Sequence, residues 1–180
     1  MNLIDRLGYL FNSLFIRIVS LGRVKVSLKA RPSIRARYVI HKGGNIVIGP
    51  HSYVHFGCVL STHGGDIRIG SNSSVNCCSV LYGLGGLYIG NDVRIGANAI
   101  FVPANHNFDL VDIPICKQGL SSSGIVIDND CWIGARVTIL DGVKVGGGTV
   151  VGANSLVTNS LPGRSVCYGS PCKFRRSRYL

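Results

Sequence analysis

The chain has 180 residues, a length that suits a single domain with one sizeable core. Charged residues make up only 15% of it, below the usual figure of about 25%. Its 24 glycines among 180 residues are well above the average glycine content of roughly 7%. Together these features favour a turn-rich β architecture. Nineteen Lys and Arg residues against eight Asp and no Glu give a formal charge of +11. We therefore expect a negatively charged partner, for which nucleic acid, an anionic membrane face and a phosphorylated cofactor all qualify.

Seven cysteines occur without a clear secretory signal, which argues for a reducing compartment and a cytoplasmic location. Their odd number, the adjacent pair Cys77 and Cys78 and the absence of any CxxC do not describe a disulfide framework. Cys58 and Cys131 fall where the repeat described below needs a small buried residue. We expect packing roles for most of these thiols and no metal bound by cysteine.

The first 22 residues predict an amphipathic helix, because apolar residues recur at spacings of three and four. Polar residues interrupt the run below the ~20 apolar residues that a membrane span needs, and no cleavage site follows. Two interpretations remain open. In the favoured one the helix caps the open end of the fold. In the other it is a peripheral anchor at the inner membrane face, with Arg6, Arg17, Arg23 and Lys25 near acidic headgroups.

A six-residue period dominates the remainder of the chain. From Ile127 it reads IDNDCW IGARVT ILDGVK VGGGTV VGANSL VTNSLP, and the same frame occurs from Ile48, Ile69 and Ile89. Such a period predicts a solenoid in which short strands alternate with tight corners and the first residue of each hexapeptide points inward. Three strands form one coil of eighteen residues, and stacked coils pair as parallel strands.

Two further features follow from the frame. Gly, Asn or Asp near each corner accepts unusual backbone angles, and a small residue at the fifth position should fill the corner beside the inner ladder. The fifth-position residues are Ser52, Cys58, Ser73, Ala99, Cys131, Val137, Val143, Thr149 and Ser155.

The frame slips at HGGD and GLGG, which predict small protrusions, and it breaks after His106. A long extended loop is expected from Asn107 to about Gly124. Long loops in compact domains are uncommon unless they are functional, so His106 lies at the root of a candidate functional excursion.

Over residues 45 to 176 the sequence resembles the hexapeptide-repeat acyltransferases, which have a left-handed parallel β-helix. The resemblance rests on IVIDNDCWIGARVTILDGVKVGGGTVVGANSLVTNSLP followed by VCYGSPCKFRR, and on NHNFD and IPICKQG, which are similar to the loop of enzymes that acetylate surface polysaccharides. The left hand of the coil is implied by this resemblance. One scaffold can host many activities, so the substrate follows less directly than the fold.

The resemblance implies a role for several residues. His106 matches the catalytic histidine, and imidazole suits removal of a proton near neutral pH. Its tautomer would be fixed by Asp109, by Asp112 or by a backbone carbonyl. Asn76 matches an asparagine that holds the acceptor sugar, although a corner asparagine is the alternative, and Trp132 matches a tryptophan that lines the site or else covers a subunit contact.

Acetyl-CoA is implied as the cosubstrate, bound between the subunits of a homotrimer, with no metal required. The matching positions are Gly134, Ala135, Ala153, Thr158, Lys173 and Arg176, of which the last two meet nucleotide phosphates. Asn159 stands where the family has a lysine, and Arg175 or Arg178 could compensate for it.

Two other classes of protein fit the sequence less well. A zinc carbonic anhydrase of the same fold would need His51, His55 and His63, but their spacing is poor for convergent ligands. A basic module that binds nucleic acid usually interleaves aromatic residues with its basic residues or presents a recognition helix, and neither pattern is visible.

We therefore expect an all-β solenoid with residues 1–22 as an N-terminal helix, 23–172 as a β-helix domain with the loop 107–124, and 173–180 as a basic C-terminal tail. The expected function is transfer of an acetyl group from acetyl-CoA to a sugar hydroxyl in the biosynthesis of a surface polysaccharide, such as O-antigen, capsule or exopolysaccharide. The alternatives are N-acylation of an amino sugar, including one linked to a nucleotide, and O-acetylation of an antibiotic or other xenobiotic.

Overall fold

A computed structural model describes residues 3–179, with side chains from Leu7 onward. One helix, α1 (Leu3–Val19), precedes 22 short strands. In chain order these are β1 (Val24–Val26), β2 (Arg31–Pro32), β3 (Arg37–Val39), β4 (Ile46–Ile48), β5 (Tyr53–Val54), β6 (Val59–Ser61), β7 (Ile67–Ile69), β8 (Ser74–Val75), β9 (Val80–Tyr82), β10 (Leu87–Ile89), β11 (Arg94–Ile95), β12 (Ile100–Val102), β13 (Asn105–His106), β14 (Leu120–Ser121), β15 (Ile125–Ile127), β16 (Trp132–Ile133), β17 (Thr138–Leu140), β18 (Lys144–Val145), β19 (Val150–Val151), β20 (Leu156–Val157), β21 (Ser165–Gly169) and β22 (Cys172–Ser177).

The strands form the three faces of a parallel β-solenoid of about six turns. The first face contains β1, β4, β7, β10, β15 and β18, the second contains β2, β5, β8, β11, β16, β19, β21 and β22, and the third contains β3, β6, β9, β12, β17 and β20. Successive coils pair in parallel and in register, so that Ile48, Ile69 and Ile89 lie above one another. The chain therefore winds as the hexapeptide period predicts.

The core is a set of inward-facing aliphatic ladders. Ile69, Ile89, Ile127 and Val145 form one of them on the first face, and each is almost fully buried. Burying one such side chain contributes about 1.5–3 kcal/mol. The stacked ladders therefore account for much of the stability of the solenoid.

The corners have a constant geometry. The fourth residue of the hexapeptide has positive φ at position after position, including Asn72, Asp92, Asn98, Asp130 and Asn154. Asn and Asp tolerate this left-handed region better than other residues that carry a side chain. All nine fifth-position residues are buried, as the repeat predicts.

Buried hydroxyls at the fifth position connect neighbouring coils. Ser52 Oγ donates to the Gly70 carbonyl and accepts from the Ser73 amide at 2.9 Å. Ser73 Oγ repeats this arrangement one coil further, where it donates to the Gly90 carbonyl at 2.8 Å and accepts from the Val93 amide at 3.0 Å. These bonds satisfy buried amides and partly buried carbonyls at the corner.

Helix α1 lies on the first coil and contacts β1 and β2. It ends at Val19 rather than at Gly22, because the chain turns at Leu21 and Gly22, both of which have positive φ. Met1, Asn2 and the side chain of Arg6 lie outside the described residues. Among residues 3–179, no helix is long and apolar enough to cross a membrane.

The C-terminal segment is a strand rather than a tail. β22 folds back on β21 in antiparallel fashion and extends the second face, with Gly169 opposite Cys172. Cys172 is buried, whereas the basic residues that follow it are exposed. Leu180, the last residue of the expected tail, lies outside the described part of the chain.

Candidate active site

The excursion leaves the solenoid at the corner between the third and the first face, which we call the His106 edge. β13 pairs in antiparallel fashion with β14, so that His106 lies opposite Leu120 at the base of the excursion. His106 is exposed, and the coil beneath it is held by the pairing of β12 with β9 and β17. A histidine thus projects from a rigid edge into solvent.

The excursion is more ordered than the long extended loop expected from the sequence. It contains a short 3-10 helix (Ile115–Lys117) and closes on itself through polar side chains. The side chain of Gln118 donates to the Leu110 and Ile113 carbonyls and accepts from the Leu110 amide. Asn107 Nδ2 donates to the Gln118 carbonyl at 3.1 Å.

Asp141 ties this loop to the solenoid, a role that the sequence did not reveal. Its Oδ1 accepts hydrogen bonds from the Ser123 and Gly124 amides, each at 2.8 Å, where the excursion returns. Its Oδ2 accepts one from Asn105 Nδ2 at 3.3 Å, immediately before His106. One carboxylate therefore fixes both ends of the excursion.

A cleft of about 280 Å³ opens beside His106. Most of its wall is apolar or aromatic, and its lining residues are His63, Tyr82, Leu84, Val102, Pro103, Ala104, Asn105, His106 and Leu120. Such a cleft, with few polar groups converging on it, is a typical site for a small ligand.

One wall of the cleft is an aromatic stack. The His63 ring lies parallel to His41 with centroids 4.7 Å apart, and it meets Tyr82 edge to face at 4.9 Å. The His63 amide donates to His41 Nδ1 at 3.0 Å. Partial burial, together with the neighbouring His41, lowers the pKa of His63 below its usual value. The shift favours the neutral form of the His63 ring within the stack.

In the described part of a single chain, no hydrogen bond fixes the tautomer of the His106 ring. Among the residues that the structure describes, neither an aspartate nor a carbonyl hydrogen-bonds to the His106 ring, so Asp109, Asp112 and the backbone stay open as candidates.

The other candidate residues lie mainly at a different edge. Asn76, Gly134, Ala135 and Ala153 follow second-face strands, so they lie at the corner between the second and third faces, which we call the Gly134 edge. Asn76 Nδ2 donates to the Ile95 carbonyl of the next coil at 2.9 Å. Within one chain the structure therefore does not bring Asn76 to the His106 cleft.

Close stacking explains the glycine at position 134. A Cβ there would lie 2.5 Å from the Ala153 amide nitrogen of the next coil. Ala135 and Ala153 are exposed beside it, and Trp132 projects from the second face. Thr158 follows a third-face strand and lies at the His106 edge, two coils from Phe101.

Lys173 and Arg176 are exposed on β22, the last strand of the second face. The two arginines that could replace the missing lysine contact the protein itself. Arg178 pairs with Asp130 at 2.6 Å, and the Arg175 guanidinium stacks on Tyr168 with 4.8 Å to the ring centroid. Both guanidinium groups are therefore already engaged within a single chain, Arg178 by an acid and Arg175 by an aromatic ring.

The three histidines of the zinc alternative are dispersed. His63 lines the His106 cleft, whereas His51 and His55 line separate clefts beneath α1. Within residues 3–179, no group of three or more His, Cys, Asp or Glu side chains could hold a metal ion.

Comparison with known proteins agrees with this fold. Residues 124–159 match the bacterial transferase hexapeptide (six repeats) family. WbbJ of Escherichia coli K12, a candidate lipopolysaccharide biosynthesis O-acetyl transferase, is 32% identical over 148 residues, which cover 78% of this chain and 76% of WbbJ. The galactoside O-acetyltransferase of Lactococcus lactis is 32% identical over 135 residues. That match covers 74% of this chain, but only 61% of the length of the relative.

A solved structure shares the architecture. A single-residue variant of AntD, an N-acyltransferase from Bacillus cereus in complex with dTDP-4-amino-4,6-dideoxyglucose and coenzyme A, superposes with a TM-score of 0.73 at 25% identity, over 87% of this chain and 83% of AntD. The coil, the sequence period and the relatives agree, and the chain belongs to the hexapeptide-repeat acyltransferase family.

Proposed function

We propose that the protein transfers an acetyl group from acetyl-CoA to a sugar hydroxyl during the biosynthesis of a surface polysaccharide. The observation that carries the proposal is the exposed His106 at a rigid edge, beside a cleft of mixed aromatic and apolar lining. The sugar O-acetyltransferases among the relatives support the reaction class.

In the proposed reaction, His106 is the general base. The acceptor hydroxyl attacks the thioester carbonyl while the imidazole removes its proton, and backbone amides near the site stabilise the oxyanion. Collapse of the tetrahedral intermediate breaks the C–S bond, and the coenzyme A thiolate receives the proton from the imidazolium. The products are the acetyl ester and free coenzyme A.

The cleft suits the apolar face of a pyranose. Tyr82 and His63 offer aromatic surface, and Leu84 and Leu120 offer aliphatic surface. Asn105 and His106 lie on the same wall and could hydrogen-bond to hydroxyls, since an amide both donates and accepts. This combination favours a sugar ring over a fully apolar acceptor.

The site is completed by a homotrimer in this proposal. His106 lies at one edge of the prism and Asn76 with Gly134 at another, so a single chain holds only part of the constellation. Threefold rotation can bring the His106 edge of one subunit against the Gly134 edge of the next. Coenzyme A would then lie along Gly134, Ala135, Ala153 and Thr158, with its phosphates at Lys173 and Arg176 and Trp132 beside the acceptor.

All seven cysteines are free thiols. We propose a reducing, cytoplasmic compartment, because acetyl-CoA and nucleotide sugars are cytoplasmic metabolites and free thiols persist there.

An N-acyltransferase acting on an amino sugar is the second candidate, favoured by the structural similarity to AntD and the amino sugar bound to it.

The experiment that tests both is a release assay for coenzyme A thiol with acetyl-CoA and a panel of hydroxyl and amino pyranosides. We expect turnover with a hydroxyl acceptor and a loss of about 10²-fold or more in His106→Ala. His55→Ala is the matched control, since His55 is an exposed histidine away from the cleft. Unchanged turnover in His106→Ala would overturn the mechanism, and turnover with amines alone would select the second candidate.

A further inference from the structure

Helix α1 is fixed in rotation against the first coil. Asn12 Nδ2 donates to the Pro32 carbonyl at 3.2 Å, and Ser13 Oγ donates to the Ala30 carbonyl at 3.4 Å. The Arg31 guanidinium lies 5.8 Å from the Tyr9 ring centroid, and Ile16 is buried. These contacts all lie on one stripe of the helix, so the opposite stripe must point away from the solenoid.

That opposite stripe is apolar. At ~100° per residue, the residues that lie opposite Tyr9, Asn12, Ser13 and Ile16 are Leu7, Phe11, Leu14, Phe15 and Ile18, which we call the outer face. Phe11 is 63% exposed and Ile18 is 71% exposed, and the Phe11 and Phe15 rings stack with centroids 6.1 Å apart. A contiguous exposed apolar patch on a folded protein marks an interaction surface.

The charge around this helix is almost entirely positive. Residues 1–65 contain a single acid, Asp5, and no other before Asp66. They hold nine of the 19 basic residues, namely Arg6, Arg17, Arg23, Lys25, Lys29, Arg31, Arg35, Arg37 and Lys42. Among residues 7–179, all three ion pairs lie at Asp66 or beyond. Lys25, Lys29, Arg35 and Arg37, which we call the basic rim, are exposed on the first coil.

Two clefts at the junction of α1 and the first coil carry the same charge. Both are lined by Tyr9 and Arg31, one of them also by Lys29 and His51 and the other by Arg35 and His55. Each cleft could receive an anionic lipid headgroup while the outer face enters the apolar layer beneath the headgroups.

We propose that the outer face and the basic rim dock on the surface of an anionic phospholipid bilayer, with α1 lying in the plane of the interface. An apolar helical stripe flanked by Lys and Arg has the chemistry of such a surface-binding helix. A second copy of the chain fits less well, because an isologous contact would oppose one basic rim to another. The proposal does not depend on the proposed reaction, since its test uses no turnover.

The test is co-sedimentation of the full chain with vesicles of phosphatidylcholine alone and of phosphatidylcholine with phosphatidylglycerol. We expect binding to the anionic vesicles only, weakening as salt rises. Phe11→Asp/Ile18→Asp should abolish binding. Val111→Asp/Ile115→Asp is the matched control, since it adds the same charge at two exposed apolar residues of the excursion and should bind as wild type does.

A second pair of variants isolates the charges. Lys25→Gln/Lys29→Gln should weaken partitioning on the order of tenfold, because each cation near the surface contributes to the attraction. Lys117→Gln/Lys144→Gln, which removes two lysines elsewhere, should leave it unchanged. Thermal melting and size-exclusion elution of all variants establish that each is folded.

Absence of binding by the wild-type chain would overturn the proposal. Equal loss in the outer-face variant and its control would do so as well, since it would indicate a general charge effect. A change of oligomeric state in Phe11→Asp/Ile18→Asp, without vesicle binding by the wild type, would assign the outer face to a second copy instead.

Discussion

Asp141 connects the two ends of the excursion to the solenoid in the candidate site. It accepts from Ser123, Gly124 and Asn105 and so holds both ends of the excursion beside His106. We expect Asp141→Ala to lower kcat by about 10²-fold through misplacement of His106, with little change in KM for acetyl-CoA. Asp141→Asn keeps an oxygen for the two backbone amides and should recover much of kcat. Equal kcat in Asp141→Ala and wild type would refute this positioning role.

We expect Tyr82 to contact the acceptor sugar. Tyr82→Ala removes aromatic surface from the cleft wall, and loss of one stacking contact should raise KM for the sugar by about 2–10-fold. KM for acetyl-CoA should not change. Tyr88→Ala, at an exposed tyrosine of the first face, is the control and should leave both constants as they are. A rise in KM for acetyl-CoA instead would assign Tyr82 to the donor.

His63 gives the site a pH dependence. Partial burial and the neighbouring His41 lower its pKa in the folded state below the ordinary value of 6.5. The folded protein therefore binds fewer protons at His63 than the unfolded chain does as pH falls below 6.5, so the free energy of unfolding decreases progressively. We expect the Tm of the wild type to fall more between pH 7 and 5 than that of His63→Gln. Parallel Tm profiles would contradict this.

The sequence pointed to His106 but not to Asp141 or Tyr82, and it offered His63 only as a candidate zinc ligand. His106 stands where the six-residue frame breaks, which is a local signal. Asp141 and Tyr82 occupy ordinary frame positions, and their roles come from the way the excursion returns over the third face. Nothing in a single hexapeptide records that return. Likewise, the stacking of His41 on His63 joins two coils whose spacing departs from eighteen residues.

At the scale of the strands and corners, the buried hydroxyls are the most specific feature. Ser73→Ala should destabilise the fold by about 1–3 kcal/mol, because the buried Val93 amide would lose its acceptor and the partly buried Gly90 carbonyl would lose a donor. Ser74→Ala, at the neighbouring and less buried serine, should change the free energy of unfolding by less than about 0.5 kcal/mol. Urea denaturation measures both. Equal effects would show that the buried bond contributes nothing.

The six-residue period predicted the strands and corners well, because each hexapeptide contains its own inward-facing residue and its own turn. It predicted the ends and the excursion less well. β22 follows Gly169, beyond the last hexapeptide of the frame. It is held by pairing with β21 and not by a local sequence pattern. The excursion is closed by the Gln118 side chain, whose three bonds span up to eight residues and have no periodic signature.

At the scale of the whole molecule, we expect each active site to be formed by two chains. The His106 edge and the Gly134 edge lie on different corners of the same prism, so the proposed site requires a neighbouring subunit to join them. The basic rim and α1 lie at the first coil, whereas Lys173 and Arg176 lie on the last strand. The two basic regions are therefore free to serve a membrane surface and a nucleotide separately.

Mixed trimers reveal whether an active site is shared between two subunits. His106→Ala and Asn76→Ala are each expected to be folded and almost inactive as homotrimers. Co-refolded in equal amounts, they should regain about a quarter of wild-type turnover per chain, because about one interface in four then pairs an intact His106 with an intact Asn76. An active Asn76→Ala homotrimer, or mixed trimers no faster than the sum of their parents, would contradict a site shared between subunits.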